Sequence, residues 1–367
     1  MERRFLWMLL LNTAAAMAQP VLPPACNPYP DSCLYSPGTA RPVNETQASV
    51  TYRDIAGQTR VVEMYIRIPA AAQGALPVVV WSGGQPGSDA KAVMPSWSVA
   101  TVQAGYLTVS VAHTPRTDAE MVRVCSAAEV PEGQCPLLNP VIWDGPQDLR
   151  RVLDWLEETN SNGPPEVRGR IAVDRIALAG HGEGANAAIS LAGARRMITA
   201  RTAREANDFT DPRPIAFVGL SPQGPLQSGF FDTDLGRPFT SWTPVERPVL
   251  GITSAGDNDC NATGACFLGD SPSRRRIAFD LMPPGNKYEM FVPSVDLSRA
   301  FLASLDTAAC VADGIAPANC TNFERWLRAS VLAFLDAHVR GAATARAWLQ
   351  DDLIQPASGN AVEWRRK

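Results

Sequence analysis

Two apolar patterns along the chain, one alternating and one unbroken, predict β-strands. Residues 49–54 and 59–69 alternate between apolar and polar positions, which predicts two antiparallel strands joined at Ala56-Gly57. Residues 75–81 are apolar almost without interruption, as is typical of a strand that is buried on both faces of a sheet. The same reasoning predicts further strands over residues 106–113, 175–180, 214–222, 248–257 and 288–293.

Helical spacing separates several of these strands. Apolar residues recur every three or four positions from Leu149 to Leu156, with Pro146 at the predicted start of the helix. Residues 185–197 and 322–341 are also predicted to be helical, and the second of these is amphipathic. Because strands alternate with helices, we expect an α/β protein with a mostly parallel, twisted sheet flanked by helices and an antiparallel pair of strands at its start.

The start of the chain has the pattern of an export signal. Residues 5–11 are apolar, and Ala16-Met17-Ala18 fits a small-residue cleavage site. This pattern predicts a secreted or periplasmic protein, with an uncleaved anchor as the alternative. We therefore divide the chain into a signal peptide (1–18), a proline-rich N-terminal arm (19–46), one domain (47–350) and a C-terminal tail (351–367).

The 8 cysteines agree with export to an oxidising compartment. They fall into four close pairs in loop-like contexts, and pairing nearest neighbours is the simplest arrangement. A zinc site is the competing interpretation, but the spacings are not Cys-x-x-Cys and the chain has only 3 histidines. We expect disulfides that pin surface loops: Cys26 with Cys33, Cys125 with Cys135, Cys260 with Cys266, and Cys310 with Cys320.

Composition and charge narrow the function classes. The sequence is 46% hydrophobic and 19% charged, which is ordinary for a globular domain. A net charge of -4 gives no basic face for nucleic acid or anionic lipid. We expect no cofactor, no metal, no nucleic-acid partner and, after removal of the signal peptide, no membrane partner.

One turn carries the strongest motif. Residues 175–180 run directly into Gly180-His181-Gly182-Glu183-Gly184, and a predicted helix follows. A strand, a Gly-x-x-x-Gly turn and a helix are the setting of a nucleophile elbow. The stretch resembles the elbow of the α/β-hydrolases, in the branch of dienelactone hydrolase, platelet-activating-factor acetylhydrolase and chlorophyllase. That branch carries serine where this chain has Gly182.

The resemblance extends over roughly residues 50 to 350. Residues 78–88 resemble the strand and loop of the oxyanion hole, with Gly83 in place of a histidine, and residues 145–156 resemble the helix that follows the next strand. Residues 252–260 resemble the turn that carries the triad acid. The resemblance places this acid at Asp257, with Asp259 as the second choice, and implies the α/β-hydrolase fold.

Two of the three triad positions lack the expected residue. A serine hydrolase needs a hydroxyl nucleophile, a histidine base and a carboxylate that orients the histidine. By the resemblance, Leu297 stands where the catalytic histidine is expected. The chain's own histidines lie beside the turn (His181), at the end of a strand (His113) and within a helix (His338). These substitutions predict a naturally degenerate enzyme.

The substitutions leave a binding role open. Backbone N–H groups at Gly84, Gln85 and Glu183, beside His181, are expected to form a pocket that accepts an ester or carboxylate ligand. We therefore expect a pseudoenzyme that keeps its cleft. The alternative is an active carboxylic-ester hydrolase with a relocated nucleophile, for which Ser221 and Ser254 are the nearest hydroxyls. A structural or carbohydrate-surface protein is a third, weaker reading with no feature in its favour.

Overall fold

A single mixed sheet organises the part of the chain that the structure describes. The structure is a computed structural model, and it describes residues 34–38, 40–70, 72–84, 87–130, 135, 140–195, 208–224, 241–257, 271–293 and 299–367. The strands are β1 (Val43–Arg53), β2 (Thr59–Pro69), β3 (Leu76–Ser82), β4 (Leu107–Ala112), β5 (Ile171–His181), β6 (Pro214–Leu220), β7 (Val249–Ser254), β8 (Lys287–Val292) and β9 (Glu363–Arg366).

The sheet is parallel in its centre and antiparallel at both ends. Its strand order is β1-β2-β4-β3-β5-β6-β7-β8-β9. The six strands from β4 to β8 in this order pair in parallel, whereas β1 with β2, β2 with β4, and β8 with β9 pair antiparallel. The predicted α/β class, the mostly parallel sheet and the antiparallel first pair are confirmed.

Helices cover both faces of the sheet. Their bounds are α1 (Pro95–Gln103), α2 (Asp118–Ala127), α3 (Pro140–Asn162), α4 (Glu183–Ala192), α5 (Pro272–Leu281), α6 (Arg299–Ser304), α7 (Thr307–Ala312), α8 (Pro317–His338), α9 (Ala343–Gln350) and α10 (Ile354–Ala357). Helix α3 begins before Pro146, so this proline lies inside the helix and not at its start.

The buried strands explain the unbroken apolar segments. Every residue of β3 is buried. Val79 and Trp81 belong to one apolar cluster, together with α8. Val78 and Val80 belong to the cluster on the other face, together with α3. Because successive side chains of a strand point to opposite faces, a strand covered on both faces has to be apolar throughout.

The ordered sheet extends beyond the predicted domain at both ends. Strand β1 begins at Val43, inside the segment predicted as an arm, and residues 351–367 contain α10 and β9. Upstream, the Tyr35 hydroxyl donates to Asp336 of α8 at 2.7 Å. Asp336 also accepts from the buried hydroxyl of Tyr106 at 2.6 Å. The segment before β1 is thereby fixed to the helical layer.

Two of the four predicted disulfides lie within the described residues and are confirmed. Cys125 is bonded to Cys135 beyond α2, and Cys310 of α7 is bonded to Cys320 of α8. The other four cysteines and the predicted signal peptide lie outside the described residues. Among the helices of the described ranges, none combines the length and apolar character that crossing a membrane requires.

Candidate functional site

The strand order reverses its direction between β3 and β5. From β3 the chain crosses to β4 on one side, and it then returns to β5 on the other side of β3. In open α/β sheets, ligands bind outside the carboxyl ends of the strands at such a point of reversal. Gly83 and Gly84 follow β3 at this edge, and the turn at Gly182 follows β5.

The turn between β5 and α4 has a backbone conformation that favours glycine. Gly182 has φ 55° and ψ −120°, and it is the N-cap of α4. A residue with a Cβ rarely adopts a positive φ of this kind, whereas glycine does so without steric penalty. The chain thus passes from strand to helix within one residue, and the apex carries no side chain.

Close backbone contacts explain the small residues around this apex. A Cβ added to Gly180 would lie 2.4 Å from the carbonyl carbon of Gly184, and one added to Gly184 would lie 2.2 Å from the carbonyl oxygen of Ser82. A Cβ on Gly84 would lie 2.8 Å from the carbonyl oxygen of His181. Strands β3 and β5 and helix α4 can approach this closely only because the three positions are glycine.

A cavity of about 430 Å³ opens in front of this turn. Its size lies within the range of small-molecule sites. Gly84, His181, Gly182 and Glu183 line it together, so these predicted site residues share one cavity. Ser88 adds a hydroxyl group, and the apolar residues Val93, Met94 and Ala303 complete the wall. Gln85 lies outside the described residues.

Asp257 is buried in a hydrogen-bonded cluster next to the turn. Its Oδ1 accepts from Ser221 Oγ at 2.7 Å, and its Oδ2 accepts from Thr253 Oγ1 at 2.7 Å. The fully buried guanidinium of Arg275 lies 3.5 Å from Oδ1. Both carboxylate oxygens are therefore engaged by groups of the protein's own core.

Ser221 connects this cluster to the turn. The carbonyl of the preceding residue, Leu220, accepts a hydrogen bond from the N–H of Gly182 at 3.0 Å. The other hydroxyl considered as a nucleophile belongs to Ser254, whose carbonyl accepts from the N–H of Asp257 in a tight turn. Asp259 and Leu297, the two remaining positions assigned from the resemblance, lie outside the described residues.

The histidine of helix α8 lies in an aromatic cluster. The His338 ring is 4.9 Å from that of Phe334 and 5.6 Å from that of Tyr288, measured between centroids. Its Nε2 is buried and finds no hydrogen-bond partner among the described residues. Burial, followed by the charges of Arg346 and Lys287, lowers the pKa of His338 from 6.5 to about 4.

Replacing His338 by phenylalanine is expected to make the protein less sensitive to acid. The folded pKa lies below the unfolded one, so the unfolded state binds more protons between pH 6.5 and about 4. Wild-type stability should therefore fall in this window as the pH drops, by roughly 2 kcal/mol from this histidine after allowance for its partial exposure. Urea unfolding of both proteins near neutral pH and near pH ~4.5 measures the difference. Equal losses in the two proteins would contradict the assignment.

A hydrogen-bonded Ser–His–Asp chain lies behind the loop that follows β3. Ser82 Oγ is 2.8 Å from His113 Nε2, and His113 Nδ1 is 2.9 Å from Asp148 Oδ2. A carboxylate can only accept, which assigns Nδ1–H as a donor, and in a neutral imidazole Nε2 then accepts from the hydroxyl. All three side chains are buried, with at most 1% of each residue exposed.

Sequence patterns indicate this hydrogen-bonded Ser–His–Asp arrangement only indirectly. Ser82 ends β3 and His113 follows the parallel strand β4, where Ser82 pairs with Val111. The sequence places His113 at the end of a predicted strand but does not show which strand lies beside it. Asp148 lies on α3, and only the tertiary structure brings it under the sheet.

Buried charges surround the Asp148 carboxylate. Arg60 donates to both of its oxygens, at 3.3 and 3.0 Å, and Tyr52 donates at 2.7 Å. Burial acts to raise the pKa of Asp148, but the hydrogen bond from His113 and the charge of Arg60 outweigh it and hold this pKa below its ordinary value. Arg60 also pairs with Asp144 at 3.2 Å, where burial prevails and raises the carboxyl pKa.

Neither a scan against protein-family models nor a search of the curated proteins finds a match for this chain.

Proposed function

We propose that this protein is a secreted α/β-hydrolase-fold pseudoenzyme that binds a small ester or carboxylate in the cavity at Gly182 without turning it over. The observation that carries the proposal is the apex of the turn, where a glycine with φ 55° and ψ −120° borders a cavity of about 430 Å³. A hydrolase places its nucleophile at such an apex, on a sharp turn from strand to helix.

Several features support the proposed hydrolase fold and export. The parallel sheet carries the turn at the carboxyl end of β5, and the glycine pattern of residues 180–184 is that of an elbow. The glycine-containing loop after β3 meets the same turn, as an oxyanion loop does. The two described disulfides support export, since such bonds persist in oxidising compartments.

The composition of the cavity favours a ligand with one polar end and one short apolar part. Its polar side contains His181, Glu183 and the first turn of α4, where helix geometry directs N–H groups outward. Its opposite side contains Val93, Met94 and Ala303. An unbranched carboxylate or its ester matches both sides.

The chemistry of acyl transfer is incomplete at this cavity. Gly182 offers no hydroxyl, and Asp257 is engaged by Ser221, Thr253 and Arg275. A carboxylate whose oxygens already accept strong hydrogen bonds is poorly placed to orient an added histidine. Binding can persist under these conditions, whereas Gly182 supplies no nucleophile for acyl transfer.

We expect calorimetric titration to show that octanoate, with about ten heavy atoms, binds with a Kd near or below about 1 mM. Ala303→Phe, which fills the cavity, should weaken this binding at least about tenfold. Ala312→Phe on the exposed face of α7 is the matched control and should leave binding unchanged. In the same experiment, p-nitrophenyl butyrate should not be hydrolysed, and a fluorophosphonate probe should label no serine. Equal octanoate affinity of the two variants would contradict the assignment of this cavity as the binding site.

The Gly182→Ser variant extends this experiment to the chemistry. It should remain unreactive, because Asp257 already accepts from Ser221 and Thr253 and the resemblance places Leu297 at the position of the base. It should also lose about 1–3 kcal/mol of stability, since a side chain is strained at this backbone conformation. Probe-sensitive hydrolysis by this single variant would show that a histidine reaches the turn.

The Ser82–His113–Asp148 chain favours a second candidate function, an active ester hydrolase. Ser82 Oγ would attack the carbonyl carbon, His113 Nε2 would take the hydroxyl proton, and the leaving alkoxide would receive it. Access argues against this candidate. Alternation along β3 puts Ser82 on the face of Val78 and Val80, opposite the face that holds cavity residues Val93 and Met94. Fluorophosphonate labelling that maps to Ser82 would decide for the hydrolase.

A further inference from the structure

His113 contacts both ends of the loop that follows β3 and borders the cavity. The loop leaves β3 at Ser82 and is described again from Gly87. The ring of His113 bonds the Ser82 hydroxyl at 2.8 Å, and the backbone carbonyl of His113 accepts from the N–H of Gly87 at 2.8 Å. His113 therefore holds the two ends of the segment that contributes Gly83 and Gly84 to the cavity.

The ring is itself held from behind. Asp148 accepts from Nδ1 at 2.9 Å and belongs to α3, the long helix against the sheet. Its carboxylate is fixed by Arg60 and by the Tyr52 hydroxyl. The ring orientation is thus defined by groups on three elements: α3, β2 and β1.

The opposite side of the loop has no room to shift. The backbone of Ser82 lies so close to Gly184 that a single Cβ there would reach within 2.2 Å of the Ser82 carbonyl oxygen. Gly84 is similarly close to the carbonyl of His181. A small change in the position of Ser82 therefore moves the cavity wall relative to the turn at Gly182.

We propose that His113 is a positioning residue that fixes the Gly83-Gly84 wall of the cavity through its hydrogen bonds to Ser82 and Gly87. This inference rests on the proposed function, because a role of the Gly83-Gly84 wall in binding requires that the cavity binds a ligand. The chain of bonds sets the spacing between the glycine loop and the first turn of α4, and both of these border the cavity.

Ser82→Ala tests this role, with Ser98→Ala as the matched control. Both serines are fully buried and bonded to other side chains, but Ser98 contacts Arg67 and Thr108, away from the loop. Hydrogen exchange of peptides that span residues 82–90 and the affinity for octanoate are measured in both variants. We expect Ser82→Ala to speed exchange in this segment and to weaken octanoate binding, each by about fivefold or more, which corresponds to one lost hydrogen bond.

The outcomes separate this inference from the proposed function. Selective loss of loop protection in Ser82→Ala supports the positioning role, and equal exchange in the two serine variants overturns it. If the wild-type protein binds no octanoate, the proposed function fails, while the exchange measurement still tests the positioning role.

A second variant keeps the test decisive if Ser82→Ala does not fold. The His113→Phe variant keeps a ring at this position but removes both ring hydrogen bonds. Its loop exchange is expected to rise about fivefold or more, whereas exchange within about twofold of wild type would overturn the proposal.

Discussion

Replacing Gly184 by alanine is expected to destabilise the protein by at least about 3 kcal/mol. Helix propensity alone predicts the opposite, because alanine is favoured over glycine in a helix by about 1 kcal/mol. A steric overlap makes the change destabilising, since the new Cβ would lie 2.2 Å from the Ser82 carbonyl oxygen and 2.7 Å from its carbon. These are backbone atoms of a buried strand, so no rotamer change can relieve the overlap.

Gly251→Ala in β7 is the matched control for this experiment. The nearest atom to a Cβ at that position is Pro222 Cγ, at 3.9 Å, which is an ordinary contact. Its stability should stay within about 1 kcal/mol of wild type. Urea unfolding of the three proteins gives the comparison, and a Gly184→Ala variant as stable as Gly251→Ala would mean that β3 and α4 are farther apart than described.

Arg60→Met is expected to cost about 3–5 kcal/mol, because it leaves Asp148 buried without a guanidinium, whereas Asp144 keeps its two hydrogen bonds from Arg116. Methionine preserves most of the apolar volume, so the loss reports the charge and not the packing. Tyr52 and His113 still donate hydrogen bonds to Asp148, but the permanent positive charge of the guanidinium is lost. Chemical unfolding near neutral pH measures the loss.

The pH dependence of the Arg60→Met deficit identifies its cause. Without the guanidinium, the buried carboxyls bind protons more readily in the folded state, so the deficit should shrink as the pH falls toward about 4. Arg175→Met removes an exposed, distant pair with Asp174 and should cost about 0.5 kcal/mol or less. A deficit that is constant with pH would assign the effect to packing.

The elements predicted correctly from sequence were those with long periodic or apolar patterns. Strands β3 and β8 are buried throughout, and β3 is accordingly apolar up to its last residue, whereas β8 also buries Lys287 and Glu289. Strand β9 has the sequence Glu-Trp-Arg-Arg and only one buried residue, so it offered no such pattern. The early start of α3 was missed because a proline usually marks the first turn of a helix, and Pro146 lies within one.

The part of the candidate site that could be predicted is the part formed by residues adjacent in sequence. The five residues from Gly180 to Gly184 form one turn, so their spacing alone indicated a tight strand-to-helix connection. The partners of Asp257 were not predictable, because Arg275 reaches it from a helix 18 positions away. Ser82, His113 and Asp148 likewise meet through strand pairing and helix packing, which leave no spacing rule in the sequence.

The short strand β9 has a consequence for how copies of the protein behave in concentrated solution. It pairs with β8, a strand whose six residues are all buried. An uncovered β8 would present open backbone groups and apolar side chains, which is the usual template for aggregation. Glu363, Arg365 and Arg366 instead place charged side chains at this edge of the sheet. The segment contributes colloidal protection that is independent of anything the cavity binds.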